Sequence, residues 1–489
     1  MKRFWMTAFL LIGLFAVMVA PVAAKSGDEN GSDQESMDAL KDDVNSGLGS
    51  LASRVSTIEK ALEIKFFGDV RGRYAFQSQS QSDPTDAAAL NTGVTTISDN
   101  IKGRYRARFG VKKETGDIMG GMRISTGQIG VNGATAGNSV LQSNPNSENQ
   151  TFSNGFGDPG IIIDQAYLTY EPSFLDKHLK VTVGKMPNPL TATPMTWDPD
   201  ITPEGWMLEL SKDEFKFRAT YFDLVNNAGA ALTSFGGFLN TRAADDEYMA
   251  NFQMSRMFQF DKDTSATLTA GYEYIPNGTA LVGGALNGFF LGPKGAISTT
   301  NKPLTAGNIM DFGGVLPDFC VAEGILEVKH QLGDVPVKWT AHFIDNLDSF
   351  NVPFTATTAA TGPTGTKAVA GYSTWTNQYG FYLEGKFGNV KQKGDWSATL
   401  AASYVEPNAQ LANLASDDAN FTNTEYLFQQ VSYGLEDNFS LLLSAWELQR
   451  IYYDQYGNPA SLANNKLITG GGTSQNPELQ VFMDGVLSL

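Results

Sequence analysis

Residues 101–112 read IKGRYRARFGVK, and the two sides of this stretch differ completely in character. The odd positions from Ile101 to Val111 are apolar, aromatic or glycine, whereas five of the six even positions are lysine or arginine. Because successive side chains of a β-strand point to opposite faces, this alternation predicts a strand with one apolar and one cationic face. Such a strand requires an apolar environment on one side and an aqueous one on the other.

The same period of two recurs along the chain from residue 64 onward. We count about sixteen such runs, near 64–77, 101–114, 117–128, 160–171, 178–186, 204–212, 214–226, 245–260, 264–276, 319–332, 335–347, 372–388, 394–406, 423–436, 438–453 and 477–489. Short turns follow the even-numbered runs, and long loops rich in Gly, Ser, Thr and Asn follow odd-numbered ones. This arrangement is typical of outer-membrane barrels. Since strands can span hydrocarbon only as a closed barrel, the pattern predicts an all-β fold, a 16-stranded antiparallel transmembrane β-barrel over residues 64–489.

The residues before the barrel divide into three segments. Residues 1–24 combine a positively charged start, an apolar run and small residues, which predicts a secretory signal peptide; an N-terminal membrane anchor is the alternative. Residues 25–36 are polar and predict a flexible lead. Residues 37–63 carry apolar side chains at steps of three and four from Met37 to Leu62, which favours a short oligomeric coiled-coil helix. A single amphipathic helix that lies on the rest of the protein is the alternative.

The composition excludes several classes of protein and site. Removal of residues 1–24 takes the formal net charge from −17 to −19, because this segment holds two cations and no anions, so no nucleic acid partner is expected. The single cysteine, Cys320, cannot form an internal disulfide, and no haem-attachment motif occurs, so no cofactor is expected. No HExxH or GxSxG motif occurs, so no metal site and no enzyme activity are expected. His342 could be one member of a Ser/His site, but a hydrogen-bonding role inside the barrel is the simpler interpretation.

The polar faces of the strands assign charged side chains to the interior of the barrel. Sixteen strands enclose a space too wide for side chains to fill, so we expect a water-filled channel for passive diffusion of small hydrophilic solutes and ions. The predicted pore-lining basic residues are Lys65, Arg71, Arg73, Lys102, Arg104, Arg106, Arg108, Lys112 and Arg123. The predicted acidic residues of the lumen are Glu273, Glu323, Glu327 and Glu384. The arginine ladder favours anions weakly, although acidic residues on an inward loop would neutralise it.

One connection is a candidate for such a loop. Residues 187–206, PNPLTATPMTWDPDITPEGW, are stiffened by prolines and carry Asp198, Asp200 and Glu204. We expect this constriction loop to fold into the lumen and face the basic wall, which would leave a narrow slot between opposite charges. An ordinary outer loop is the alternative.

The segment GKMPNPLTATPMTWDPDITPEGW (184–206), together with the signal peptide, the short coiled coil and the basic first hairpin, resembles the bacterial putative porin family and, more distantly, the phosphate-selective porins. The resemblance implies a homotrimeric barrel of sixteen strands in the outer membrane of a Gram-negative bacterium, with the lipid bilayer as its environment. Phosphate-selective relatives line the pore with arginines, so an oxyanion- or phosphate-selective channel is one alternative function. A structural outer-membrane anchor that contacts the cell wall through 37–63 is another.

Overall fold

A computed structural model divides the chain into two compact units, Met1–Glu63 and Ile64–Leu489. The structure describes only residues of the second unit: 64–81, 96–127, 129–131, 141–143, 148–152, 160–225, 247–276, 318–348, 350–358, 367–375, 378–406, 408–411, 414–416, 418–419, 422, 424–451 and 478–488. The predicted signal peptide, flexible lead and coiled coil lie outside these residues. Among the described residues, the search for a helix long and apolar enough to cross a membrane finds no candidate.

The main sheet has seventeen strands: the short strand Gln150–Thr151 pairs with Arg104 and Tyr105, and the other sixteen form a ring. They are β1 Ile64–Gln81, β2 Thr96–Thr115, β3 Ile118–Gly127, β4 Gly160–Tyr170, β5 Leu179–Lys185, β6 Glu204–Lys212, β7 Phe215–Val225, β8 Glu247–Gln259, β9 Ser265–Ile275, β10 Phe319–Leu332, β11 Val335–Asn346, β12 Tyr379–Gly388, β13 Trp396–Val405, β14 Thr424–Glu436, β15 Phe439–Arg450 and β16 Glu478–Ser488. A 3₁₀ turn at Ser173–Leu175 joins β4 to β5.

The sheet closes on itself. Each strand pairs antiparallel with the next one along the chain, and β16 pairs with β1 over ten residue pairs from Asp69↔Ser488 to Ser78↔Leu479. Closure leaves no free edge in the ring, which is the condition for strands to lie in hydrocarbon. The prediction of a 16-stranded antiparallel barrel is therefore confirmed.

Apolar side chains occupy the outward positions of the strands. Ile101, Tyr74 and Leu168 are 73%, 58% and 57% exposed, although they belong to long, regular strands. The alternate positions point inward, and there Arg73 and Arg106 are buried. The two faces seen in residues 101–112 are thus the outside and the inside of the barrel wall.

Short connections join the strands at one end of the barrel and long connections join them at the other, as the sequence pattern predicts. Two-residue turns join β2 to β3, β6 to β7, β10 to β11 and β14 to β15. Gly116, Asp213 and Gly333 in these turns have positive φ, which matches the twist that tight hairpins require. Every long connection follows an odd-numbered strand, including 186–203 after β5 and 406–423 after β13.

One predicted strand was too long. The run predicted over 372–388 is divided, because only Tyr379–Gly388 joins the barrel as β12. Its first residues belong to Lys367–Trp375, which pairs with Phe350–Thr358 as a separate hairpin. Alternation alone predicts an extended chain but does not identify its pairing partner. The sequence prediction therefore treats parts of two strands, Lys367–Trp375 and Tyr379–Gly388, as one.

Candidate functional site

The inner face of β1–β3 carries the six arginines of the predicted basic wall. The register places Arg71 opposite Arg106 and Arg73 opposite Arg104, so two rows of cations lie side by side. Like charges directly opposite one another destabilise a sheet unless other groups compensate for them. The wall therefore needs nearby negative charge.

Six carboxylates of the described residues supply that charge, and they pair with four of the arginines. Arg106 Nη2 donates to Asp69 Oδ1 at 3.0 Å and its Nη1 to Asp200 Oδ1 at 2.9 Å. Arg73 Nε donates to Asp484 Oδ1 at 2.8 Å, and its Nη1 lies 3.2 Å from Asp418 Oδ2. The ladder is thus built of ion pairs, and its positive charge is largely balanced.

Glu148 bridges the other two of these four paired arginines, Arg108 and Arg123. Its Oε2 accepts from Arg108 Nη1 at 3.2 Å, and its Oε1 accepts from Arg123 Nη2 at 3.1 Å. Arg108 also donates to Asp69 at 2.6 Å, and Arg123 donates to Asp164 at 2.6 Å. Five acidic residues therefore complete a site for which the sequence prediction named only the arginines and Asp200.

Arg71 and Arg104 differ from the other four arginines. Arg71 Nη2 donates to Asn149 Oδ1 at 2.6 Å, and its buried Nε has no hydrogen-bond partner. The Nε of Arg104 is likewise buried without one. Within the described part of the chain, neither side chain forms an ion pair. These two cations are the part of the wall that is not directly paired.

The three predicted pore-lining lysines lie at the ends of the wall. Lys65 is exposed and sits 3.5 Å from Glu114. Lys112 Nζ lies 4.7 Å from the centre of the Phe67 ring. Lys102 is half-buried. These residues extend the basic face toward its rims, where solvent screens their charges more strongly than those of the arginines.

The connection 186–203, which we call the inner segment, lies inside the barrel. Asp200 contacts Arg106 on β2, Thr191 exchanges two hydrogen bonds of 2.9 and 2.8 Å with Gln253 on β8, and Thr193 Oγ1 lies 2.9 Å from His342 Nδ1 on β11. Inward side chains from three separate parts of the ring can reach one segment only if it crosses the interior.

The acidic residues predicted for this loop have three different positions. Asp200 reaches the basic wall, as described above. Asp198 is buried, and its Oδ1 accepts from the Asp200 amide at 2.8 Å, so it shapes the chain around Asp200. Glu204 is the first residue of β6, is exposed, and pairs with Lys185 at 2.9 Å. Of the three, Asp200 is the one whose ion pair with Arg106 ties the loop to the basic wall.

A second segment, the described residues of 406–422, packs on the inner segment. The Asp198 amide donates to Leu414 O at 2.6 Å, and the Ser416 amide donates to Pro194 O at 3.0 Å. Asp418 of this segment is the residue that reaches Arg73. The sequence prediction missed the second segment, because its composition resembles that of an ordinary loop and its partners on the inner segment and on β1 are more than two hundred residues away.

An apolar cluster fills part of the interior between these segments. Met195, Trp197 and Ile201 of the inner segment and Leu411 and Leu414 of the second are all at most 6% exposed. They belong to one cluster with inward side chains of the strands. The expected water-filled interior is therefore occupied in part by packed side chains that two loops supply.

The predicted acidic residues of the lumen lie across β9, β10 and β12 and have separate partners. Glu323 Oε2 lies 3.1 Å from His342 Nε2, and Glu327 forms an ion pair with Lys338. Glu384 accepts from Tyr382 Oη at 2.7 Å. One oxygen of Glu273 is buried without a hydrogen-bond partner. His342 is fully buried between Thr193 and Glu323, so it holds the inner segment against the wall.

Three inward lysines lie in register next to this acidic set. Lys329 on β10 is opposite Lys338 on β11, which is opposite Lys386 on β12. Within the described residues, only Lys338 of the three forms an ion pair. The position of each lysine within its own strand puts it on the inner face, but the register between the strands is what brings all three together.

The protonation of Glu148 is set by its surroundings. Burial raises the pKa of Glu148 from the ordinary 4.5 to about 8, and the charge of Asp200 and a hydrogen bond with Asp164 act in the same direction. Arg108 and Arg123 favour the ionised form but do not outweigh these effects. Glu148 is therefore a group of the site that gains its charge near neutral pH.

Comparisons with known proteins find one family model and several solved structures. Residues 52–277 match the model of the family described as putative porin. The chain is similar to OmpT of Vibrio cholerae (8% identity, TM-score 0.40, covering 87% of this chain and 97% of that one) and to Salmonella typhi OmpF in complex with daunomycin (10%, 0.40, 87% and 97%). It is also similar to a mutant of the Rh. blastica porin (9%, 0.37, 87% and 100%). The search of curated proteins finds no match. The resemblance to the putative porin family is thereby confirmed over residues 52–277 of this chain.

Proposed function

We propose that this protein is an outer-membrane porin through which small hydrophilic solutes and ions diffuse passively. The observation that carries the proposal is the closed ring of sixteen strands with apolar side chains outside and ionised side chains inside. A barrel of this size can hold an aqueous passage even when loops occupy part of it. Trimeric assembly and the outer-membrane location come from the family resemblance and are part of the same proposal.

The inner segment is the proposed constriction. It brings Asp200 against the basic wall on β2, while its other contacts reach β8 and β11. Solutes would pass between this segment and the remaining inner wall, where acidic and basic side chains face each other. Charges this close to a permeating ion act within the screening length of roughly 8–10 Å at physiological salt, so they matter more than the net charge of the whole chain.

We expect weak charge selectivity. Six arginines of β1–β3 are accompanied by six acidic residues, so the wall as a whole carries little net charge even while Glu148 is protonated. The test is the reversal potential of single channels in a planar bilayer across a tenfold KCl gradient. The expected value is close to zero, and Arg104→Ala/Arg106→Ala/Arg108→Ala should move it toward cation preference. A strong anion preference in the unmodified protein would contradict a balanced wall.

The pH dependence of the same measurement tests the role of Glu148. Because its pKa is raised to about 8, Glu148 is neutral at pH 6 and ionised at pH 9, so we expect the reversal potential to shift toward cations over this range. Glu148→Gln should lack the shift, since glutamine cannot ionise. Stability is linked to the same proton: the folded state keeps it up to about pH 8, whereas the unfolded state releases it at about pH 4.5, so the free energy of unfolding falls as pH rises from about 4.5 to about 8. If Glu148→Gln shows the same shift of the reversal potential, groups other than Glu148 are responsible for that shift.

An oxyanion-selective channel is the second candidate. It is favoured by cations that have no carboxylate partner among the residues that the structure describes: Arg104 on β2 and, across the barrel, Lys329 and Lys386 beside Lys338. A channel with a binding site for phosphate would show saturable block of the KCl current at low phosphate concentration, whereas a general porin would not. Loss of that block in Lys329→Gln/Lys386→Gln would place the site at these lysines.

A structural anchor is the third candidate. It depends on the predicted coiled coil at 37–63, which stays a prediction, as does its contact with the cell wall. A purified barrel that carries an electrolyte current is more than an anchor, so the bilayer recording described above also decides this case.

A further inference from the structure

The outward face of β6–β8 is apolar along the middle of the strands and carries two cations near the short turns. Lys212 is opposite Phe215 in the β6–β7 pair, and Phe215 is opposite Arg256 in the β7–β8 pair. Lys212 and Arg256 therefore flank one aromatic ring at the same height of the barrel wall, close to the short turns. Adjacent strands are about 4.8 Å apart, so the backbones at Lys212 and Arg256, two strands apart, are separated by roughly 10 Å. We call Lys212, Phe215, Arg256 and Phe258 the outer rim patch.

Two aromatic rings position the guanidinium of Arg256. Its central carbon lies 4.7 Å from the centre of the Phe215 ring and 4.8 Å from that of Phe258. Both rings are exposed on the outside of the barrel, and so is Arg256. Cation–π contacts of this length hold a guanidinium over a ring face without using its N–H groups. The N–H groups therefore remain available to a ligand from outside.

The patch has no internal counter-ion. Neither Lys212 nor Arg256 forms an ion pair within the described residues, and both point away from the lumen. The nearest acidic residues in the chain, Asp213 and Glu214, belong to the exposed turn that precedes β7. A cation on the lipid face is strongly destabilising at the middle of a bilayer and much less so near its surface. A position beside the turns is therefore where a pair of cations can remain and meet headgroups.

Apolar side chains continue from the patch toward the middle of the barrel wall. Leu210, Phe217 and Met254 form the next outward row across the same three strands and are 47%, 38% and 57% exposed. A molecule bound at the patch would thus meet cations at one end and an apolar surface beyond it. This order of polar and apolar groups matches a phospholipid, whose phosphate lies at the membrane surface and whose acyl chains extend inward.

We infer that the outer rim patch binds the phosphodiester headgroup of a membrane phospholipid, with Arg256 and Lys212 on the phosphate and the acyl chains along Leu210, Phe217 and Met254. The planar guanidinium supplies paired N–H donors for the phosphate oxygens, and the lysine adds a second charge. The inference rests on the proposed placement of the barrel in a membrane. It concerns the outside of the barrel and is independent of what passes through the lumen.

The test is lipid binding by the full-length protein in detergent. Palmitoyl-oleoyl phosphatidylglycerol is titrated in, and bound lipid is counted by native mass spectrometry. Basic residues near a lipid surface each strengthen binding several-fold, so Lys212→Gln/Arg256→Gln should weaken the tightest binding event by about tenfold. The matched control is Lys113→Gln, which removes one cation from an exposed outward position at the turn end of β2 and should bind lipid as the unmodified protein does.

Two further measurements separate a lipid site from a phosphate site and the patch from the porin proposal. Inorganic phosphate at the same concentration should not displace the lipid, because it lacks acyl chains; equal competition would identify a phosphate site and overturn the inference. Unchanged lipid affinity in the double variant, or an equal loss in Lys113→Gln, would also overturn it. Circular dichroism checks that each variant is folded, and each is recorded in a planar bilayer. A protein that binds lipid but carries no current contradicts the porin proposal, whereas a conducting protein with unchanged lipid affinity contradicts only the patch.

Discussion

Deletion of residues 190–200 raises the single-channel conductance severalfold if the inner segment is the constriction. The deleted residues include Thr191 and Thr193, which hold the segment on β8 and β11, and Asp200, which holds it on β2. Without them the connection between β5 and β6 becomes too short to cross the interior. The conducting cross-section should then increase, and with it the current at a given voltage.

The control is a deletion of equal length in another connection. Residues 229–239, between β7 and β8, are removed in the same way, and conductance should change little. Folding of both deletions is checked by circular dichroism before recording, because the inner segment also contributes Met195 and Trp197 to the apolar cluster. A folded 190–200 deletion with unchanged conductance would show that this segment does not limit the current.

Arg106→Ala should lower the free energy of unfolding far more than the removal of an arginine of the wall that forms no ion pair among the described residues. Arg106 is 8% exposed and donates to both Asp69 and Asp200, with Glu148 4.0 Å away. Removal of one partner from a buried ion pair leaves uncompensated charge and typically costs about 3–5 kcal/mol. Here the substitution leaves carboxylates from β1, the inner segment and residue 148 close together. The measurement is the free energy of unfolding from urea titration in detergent.

Arg104 provides a matched control on the same strand. It points into the same lumen two residues away but forms no ion pair among the described residues. We therefore expect Arg104→Ala to lie within about 1 kcal/mol of the unmodified protein. The double variant Arg106→Ala/Asp200→Asn should be more stable than Arg106→Ala alone, because one of the unpaired charges is then removed. Equal losses for Arg104→Ala and Arg106→Ala would mean that the ion pairs do not explain the stability of the wall.

Much of the fold follows from local pattern. The alternation of apolar and polar residues predicts the strands. The alternation of short and long connections predicts at which end of the barrel each strand begins. The parity within each strand assigns a residue to the lumen or to the outside, as it does for Arg106 and Phe109. Each of these signals depends on neighbours within about ten residues, so a single sequence contains them in full.

Some partners of the arginines have the same local signal as the arginines themselves. Asp69 and Asp484 have inward parity on β1 and β16, whereas Asp164 lies at a β-bulge of β4, where the alternation changes phase. Parity does not reveal which charges meet, however, because that depends on the register between strands. The pairing of β16 with β1 brings Asp484 next to Arg73 across 411 positions of the chain.

The sequence by itself determined the class of the protein: a sixteen-strand barrel with an apolar exterior, a charged interior and one proline-rich connection suited to the lumen. Only the tertiary structure decided what the interior contains. It places the second segment on the inner segment through Leu414 and Pro194, and it brings Glu148 and Asp418 to the arginines. The physical reason is that loops are positioned by non-local packing and ion pairs, which leave no periodic signal in the residues that form them.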